Sequence, residues 1–139
     1  MRVDKDTYYL GVAEKISTRS TCLRRHYGAV IVKNDEIVAT GYNGAARGEP
    51  NCCDTGICHR IGMAHNDGNY GVCPAVHAEQ NAIISASRSE MIGSTLYLYG
   101  YDCESGKTIN AKPCPICERM IKNAGIKYLI VSEEGDHYE

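Results

Sequence analysis

His77, Glu79, Cys114 and Cys117 are the residues of this chain whose types and spacing can do chemistry together. One imidazole and two thiols make the donor set of a catalytic zinc, which keeps its fourth position open to a water. Glu79 lies two residues past His77, so its carboxylate reaches such a water without ligating the metal. In a closed apolar pocket that carboxylate has the raised pKa a proton shuttle needs. Cys114 and Cys117 stand three apart, which turns both sulfurs the same way on the first turn of a helix. The unpaired amides and the dipole there favour thiolate. Each signal alone is weak: a C-x-x-C also serves redox pairs and half-sites of structural zinc, and a lone His near a helix start is usually a core residue. On two separate helix starts they point together to a catalytic zinc.

The elements that must position these groups are readable from periodicity. Tyr9, Val12, Ala13 and Ile16 recur at helical spacing, predicting an amphipathic helix from about Asp6 to Arg19. Gly28 to Val32 and Glu36 to Tyr42 are β-rich runs joined by Lys33-Asn34-Asp35, which is hairpin chemistry. Residues 44–73 carry much Gly, Asn, Asp and Cys with little periodicity, a connection so long that it needs a function or a staple. A helix is expected from Glu79 to Arg88, a strand from Thr95 to Gly100 and a helix from Cys114 to Ala124 with Gly125 as its left-handed stop. Lys127 to Ser132 is the last strand. This order predicts an α/β fold, a three-layer α/β/α sandwich on a mixed sheet of four to five strands, in a single domain over residues 1–139.

The bulk properties exclude several classes. A formal net charge of -2 gives no broad basic field, so stable nucleic-acid binding is not expected. The N-terminal residues have scattered charges and no apolar block, which reads as neither secretory signal nor membrane anchor and places the protein in the cytoplasm. Eight cysteines without a signal peptide point to metal or catalytic thiols rather than a disulfide framework.

His77-Ala78-Glu79 followed by Pro113-Cys114-Pro115-Ile116-Cys117 matches the H-x-E and P-C-x-x-C signature of zinc-dependent nucleobase deaminases. With Ser20-Thr21-Cys22, Arg24, Gly28-Ala29-Val30-Ile31-Val32, Gly41-Tyr42-Asn43-Gly44 and His77 to Ile83, the chain resembles the deoxycytidylate deaminase family from about Lys15 to Ser132. The resemblance implies a cytidine-deaminase-like fold, hydrolysis of dCMP to dUMP with release of ammonia, and a homo-oligomer. It implies that His77, Cys114 and Cys117 bind the catalytic zinc and that Glu79 moves the proton. It further implies that Asn43 bonds the sugar, that the backbone of Ala78 contacts the pyrimidine carbonyl and that Arg24 lies near the phosphate. Asn43 before Gly44 is also ordinary turn chemistry, and Arg24 and Arg25 also read as a solvated helix end. The stretch from Asp102 to Lys112 is longer than the family's usual step from strand to P-C-x-x-C, and as an insertion beside the site it can reshape specificity.

Relatives with a structural zinc take one ligand after the first helix and the others from the long loop. By that resemblance Cys22, Cys52, Cys58 and Cys73 would make a closed four-thiolate site, with Cys53, His59 or His65 able to replace any one of them. The alternative is free thiols packed as small apolar groups. Two other functions stay open at this point. One is deamination of another small amino-pyrimidine or related heterocycle, and the other is a non-catalytic zinc-binding structural module. Glu79 weighs against the second, since a structural site closes its fourth position and needs no shuttle.

Overall fold

The computed structural model describes residues 2–58 and 73–138. The elements in chain order are α1 (Lys5–Ser17), β1 (Arg25–Lys33), β2 (Glu36–Tyr42), β3 (Gly44–Ala45), α2 (Cys52–Thr55), β4 (Ala75–Val76), α3 (Ala78–Ile84), α4 (Arg88–Met91), β5 (Thr95–Asp102), β6 (Lys107–Ile109), α5 (Pro115–Ala124) and β7 (Tyr128–Val131). β1 and β2 form the expected hairpin, and its turn residues Asn34 and Asp35 have φ of 52° and 62°. Two adjacent left-handed residues match the twist of the flanking strands, and Asn and Asp tolerate that region best among residues with a Cβ.

The main sheet has five strands. β1 pairs antiparallel with β2 on one side and with β5 on the other. The far side of β5 is shared: Thr95 to Leu98 pair in parallel with β7, and Gly100 to Asp102 pair antiparallel with β6. The sheet is therefore mixed, as the sequence leads one to expect. Side chains alternate across it. Val30, Val32, Tyr97 and Tyr99 pack on Tyr9, Leu10 and Ala13 of α1. Ala29, Ile31, Leu96 and Leu98 pack instead on Ala78 and Ala82 of α3 and on Ile121 and Ala124 of α5. One helical layer on each face makes the α/β/α sandwich.

Two glycines set how closely the helices approach. A Cβ at Gly28 would stand 1.9 Å from the Ala13 carbonyl oxygen of α1. A Cβ at Gly41 would stand 2.4 Å from the Ala78 oxygen and 2.5 Å from the Ala82 nitrogen of α3. No other residue lets α1 and α3 lie so near β1 and β2.

One local expectation is corrected and two gain detail. The single helix expected from Glu79 to Arg88 is two, because Ser87 starts α4 with its own capping box: its hydroxyl accepts from Glu90 N, and Glu90 accepts from Ser87 N at 2.9 Å. The long connection is not structureless at its ends, since β3 and β4 pair antiparallel (Gly44 with Val76, Ala45 with Ala75) and α2 adds one helical turn. The Asp102 to Lys112 insertion is an extension of the sheet: β5 runs on to Asp102, turns, and returns as β6. Ser132, fully buried, fastens that return by donating to Ile109 O at 2.7 Å and accepting from Gly100 N at 3.1 Å. Among the described residues no helix is long and apolar enough to cross a membrane.

Candidate active site

His77 leaves the β3–β4 ribbon and caps α3, and its backbone N–H is held by the Gln80 side chain at 2.9 Å. The imidazole faces the start of α5. Cys114 caps α5, where Pro115 is pre-set for the first helical position, and its sulfur accepts from Cys117 N at 3.4 Å. His77 Nδ1 lies 3.2 Å from Cys117 Sγ and 3.6 Å from Cys114 Sγ. Among the described residues these three form the one group of His, Cys, Asp or Glu whose ligand atoms all lie within 4.8 Å of one another. Two thiols and an imidazole at such separations suit a tetrahedral ion bound at about 2.0 to 2.3 Å. Burial, then Glu79 and Cys114, push the Cys117 thiol far above the usual thiol range. A dication at their centre removes that penalty, so the donor chemistry is that of a metal centre.

Glu79 sits in the first turn of α3 and is 5% exposed. Burial raises its pKa, opposed by hydrogen bonds from its own amide and from Cys117. Such burial favours the protonated carboxyl over the charged one. Ala78, between the two, is fully buried, and its N–H belongs to the first helical turn, which lacks intrahelical partners.

Asn43, also buried, does something the sequence does not reveal. Its Oδ1 accepts from Tyr27 N at 2.9 Å and its Nδ2 donates to Arg25 O at 2.9 Å, so it fastens the end of β2 to the start of β1. Arg24 lies just before β1 and its carbonyl accepts from Cys103 N at 3.1 Å. The thiols Cys22, Cys52, Cys58 and Cys73 do not gather into a ligand group as tight as the first. They are neighbours nonetheless: burial, then Cys22, Cys73 and Cys58, raise the Cys52 thiol. His59 and His65 lie outside the described residues.

Sequence reasoning gave Tyr27 no role and read Arg25 as a solvated helix end, whereas both lie on this face. Tyr27 packs against the cluster that contains Ala78 and Ala82, and burial raises its phenol while Arg25 opposes the shift and Glu79 adds to it. Arg25, two residues earlier on β1, shares the face and faces Asp102 across the strand pair. The available signal was the period of two counted back from Ala29, a core residue of the α3 face.

Residues 3–133 match the family model described as the cytidine and deoxycytidylate deaminase zinc-binding region. The deoxycytidylate deaminase of Mycobacterium phage D29 is 35% identical over 136 residues, which cover 96% of this chain and 98% of that protein. That of Schizosaccharomyces pombe is 36% identical over 126 residues, 90% of this chain but 36% of the yeast protein. The crystal structure of dCMP deaminase from cyanophage S-TIM5 in complex with dCMP and dUMP superposes with a TM-score of 0.63 at 30% identity, over 93% of this chain and 81% of that one.

Proposed function

Because the chain belongs to the cytidine and deoxycytidylate deaminase family, we propose that it hydrolyses dCMP to dUMP and ammonia. The observation that carries this reading is the buried Glu79 carboxyl beside the His77, Cys114 and Cys117 donor set. These three residues would hold a zinc ion, which when bound supplies Lewis acidity and an acidified water to the site. Glu79 accepts a proton from the attacking water and passes it to the ring nitrogen next to the reacting carbon, then takes the remaining proton from the added hydroxyl and gives it to the amine as the carbon–oxygen double bond forms and the carbon–nitrogen bond breaks. Water adds and ammonia leaves, so the ring amidine becomes an amide.

The remaining groups orient the substrate. The Ala78 N–H, free of an intrahelical partner, is set to donate to the pyrimidine carbonyl. Asn43, anchored to β1, offers its amide to the sugar, and Arg24 stands toward the phosphate. Cys22, Cys52, Cys58 and Cys73 would hold a second, structural zinc, which would staple the long connection. We place the enzyme in the cytoplasm as a homo-oligomer without stable nucleic-acid contacts, in keeping with the net charge of -2.

The test is ammonia release by zinc-loaded protein from dCMP, CMP, deoxycytidine, cytidine, cytosine and a short single strand, with Glu79→Gln as control. Activity confined to dCMP and lost in the control supports the reading. A zinc-bound protein inactive on dCMP overturns it.

A further inference from the structure

We propose that Cys22 and Cys103 form a redox-sensitive dithiol, closed to a disulfide by a hydroperoxide and reopened by a small thiol. The closed form ties the inserted hairpin to the segment after α1 and withdraws Cys22 from the second metal set. The dithiol itself goes beyond the deamination reading, and only its effect on metal rests on the four-cysteine zinc proposed above.

The pairing of β1 with β5 brings the two residues to one face. His26 pairs with Tyr101 across the ladder, and their rings stack with centroids 5.8 Å apart. Side chains alternate along a strand, so the next pair on that face lies two residues on, Arg24 with Cys103. The pairing reaches them, since Cys103 N donates to Arg24 O at 3.1 Å. Cys22 is folded back toward the same place because the chain bends at Leu23 and Arg24. Two bonds hold the bend: Cys22 O accepts from His26 Nε2 at 2.9 Å, and Cys22 Sγ accepts from Arg24 N at 3.4 Å. Arg24 therefore holds the Cys22 sulfur with its N–H and the Cys103 backbone with its carbonyl.

The electrostatics agree with that placement. Burial, then Cys22, then Asp102, raise the Cys103 thiol, and Cys22 is the thiol that acts on it. Cys52 feels burial first and Cys22 next. Cys22 is thus the neighbour common to the hairpin thiol and the loop thiols, and its one sulfur serves one of them at a time. Cys22 and Cys103 are both half-buried free thiols, and Cys103 is surplus to a four-thiolate zinc.

Hydrogen peroxide is the simplest oxidant. One thiol takes an oxygen from it as the O–O bond breaks, leaving a sulfenic acid and one water. The second sulfur attacks the first, the S–S bond forms, the S–O bond breaks, and the hydroxyl leaves with the second thiol's proton as another water. The two thiols lose two electrons and the peroxide gains them. In a reducing compartment a small thiol exchanges the bond open again, which makes it a switch and not a staple.

The experiment treats reduced, zinc-loaded wild type, Cys103→Ser and Cys103→Ala with a small excess of hydrogen peroxide. Linkages are mapped by mass spectrometry of unreduced peptides, and released zinc is followed with a chromogenic chelator. In the wild type the Cys22–Cys103 linkage is the first to appear, dithiothreitol removes it, and zinc leaves as it forms. Both variants hold as much zinc as wild type when reduced, and they release it severalfold more slowly under peroxide. A linkage from Cys22 to a loop cysteine with Cys103 still reduced overturns the proposal. So does loss of zinc from both reduced variants, which makes Cys103 a ligand instead. If the reduced wild type holds a single zinc, the four-cysteine reading fails by itself, and the dithiol stands or falls on the Cys22–Cys103 linkage.

Discussion

His77 Nδ1 lies 3.2 Å from Cys117 Sγ although 40 residues separate them in sequence. Two helix starts on different elements are brought nose to nose, one carried by the β3–β4 ribbon and the other following the inserted hairpin.

That juxtaposition makes metal content the first expectation. Cys117→Ser and His77→Ala lower the zinc bound per chain, read by elemental analysis, and both melt earlier than wild type. Chelation of the wild type lowers its melting temperature in the same direction, because a ligand bound only by the folded state at a thousand times its Kd stabilises by about 4 kcal/mol. A melting curve indifferent to chelator would argue against a metal in this donor set.

Glu79 separates chemistry from metal binding. Glu79→Gln retains zinc and loses kcat by about 10²- to 10⁴-fold, the usual worth of a positioned proton donor and acceptor. The same change removes a carboxyl whose charged form burial disfavours, so the variant is at least as stable as wild type at neutral pH. Paired zinc, rate and melting measurements check this, and zinc loss with the rate loss would demote Glu79 to a support of the metal site.

Gly28 and Gly41 give contrasting outcomes. Gly28→Ala drives a Cβ into the Ala13 carbonyl and wedges α1 from β1, costing about 2 to 3 kcal/mol in urea unfolding. Because α1 lies on the sheet face opposite Glu79, kcat at a temperature where the variant is folded changes little. Gly41→Ala pushes instead on Ala78 and Ala82 of α3, which flank Glu79, so its kcat falls with its stability.

Tyr9 and Asp35 tie α1 to the hairpin turn through a 2.7 Å hydrogen bond, and the pair bears on stability at both ends of the pH scale. The Tyr9 bond, then Lys5, hold Asp35 below 3.8. A depressed carboxylate contributes stability above its unfolded pKa and loses it as pH falls through the lower folded value. Tyr9 is pushed up to about 12 from 10, first by Asp35 and then by burial. Its contribution is complete below pH 10 and disappears as pH climbs from 10 toward 12. The urea midpoint of wild type should approach that of Tyr9→Phe across that alkaline range, and that of Asp35→Asn in acid below pH 3.8.

The candidate site was legible because chemistry constrains residue type. No apolar contact substitutes for an imidazole, two thiols and a carboxyl, so His77, Glu79, Cys114 and Cys117 stand out from any background. Asn34-Asp35 and Gly125 were legible for a related reason, since left-handed backbone selects few residues, and Gly125 has φ 85°. What the sequence concealed depends on partners distant along the chain. The three residues of β6 are too few to read as a strand and become one because Gly100 to Asp102 lie open beside β7. Asn43 reads as a turn residue until β1 is seen in its grip. Arg25 looks like a surface cation until strand pairing sets it opposite Asp102.

The β3–β4 ribbon has a further consequence for how this chain can vary. The connection enters at Ala45 and returns at Ala75, and those two residues are paired to each other one step before His77's own neighbours, Gly44 and Val76. Insertions or deletions made between them are thus insulated from the imidazole, which is registered by the ribbon and not by the length of what it encloses.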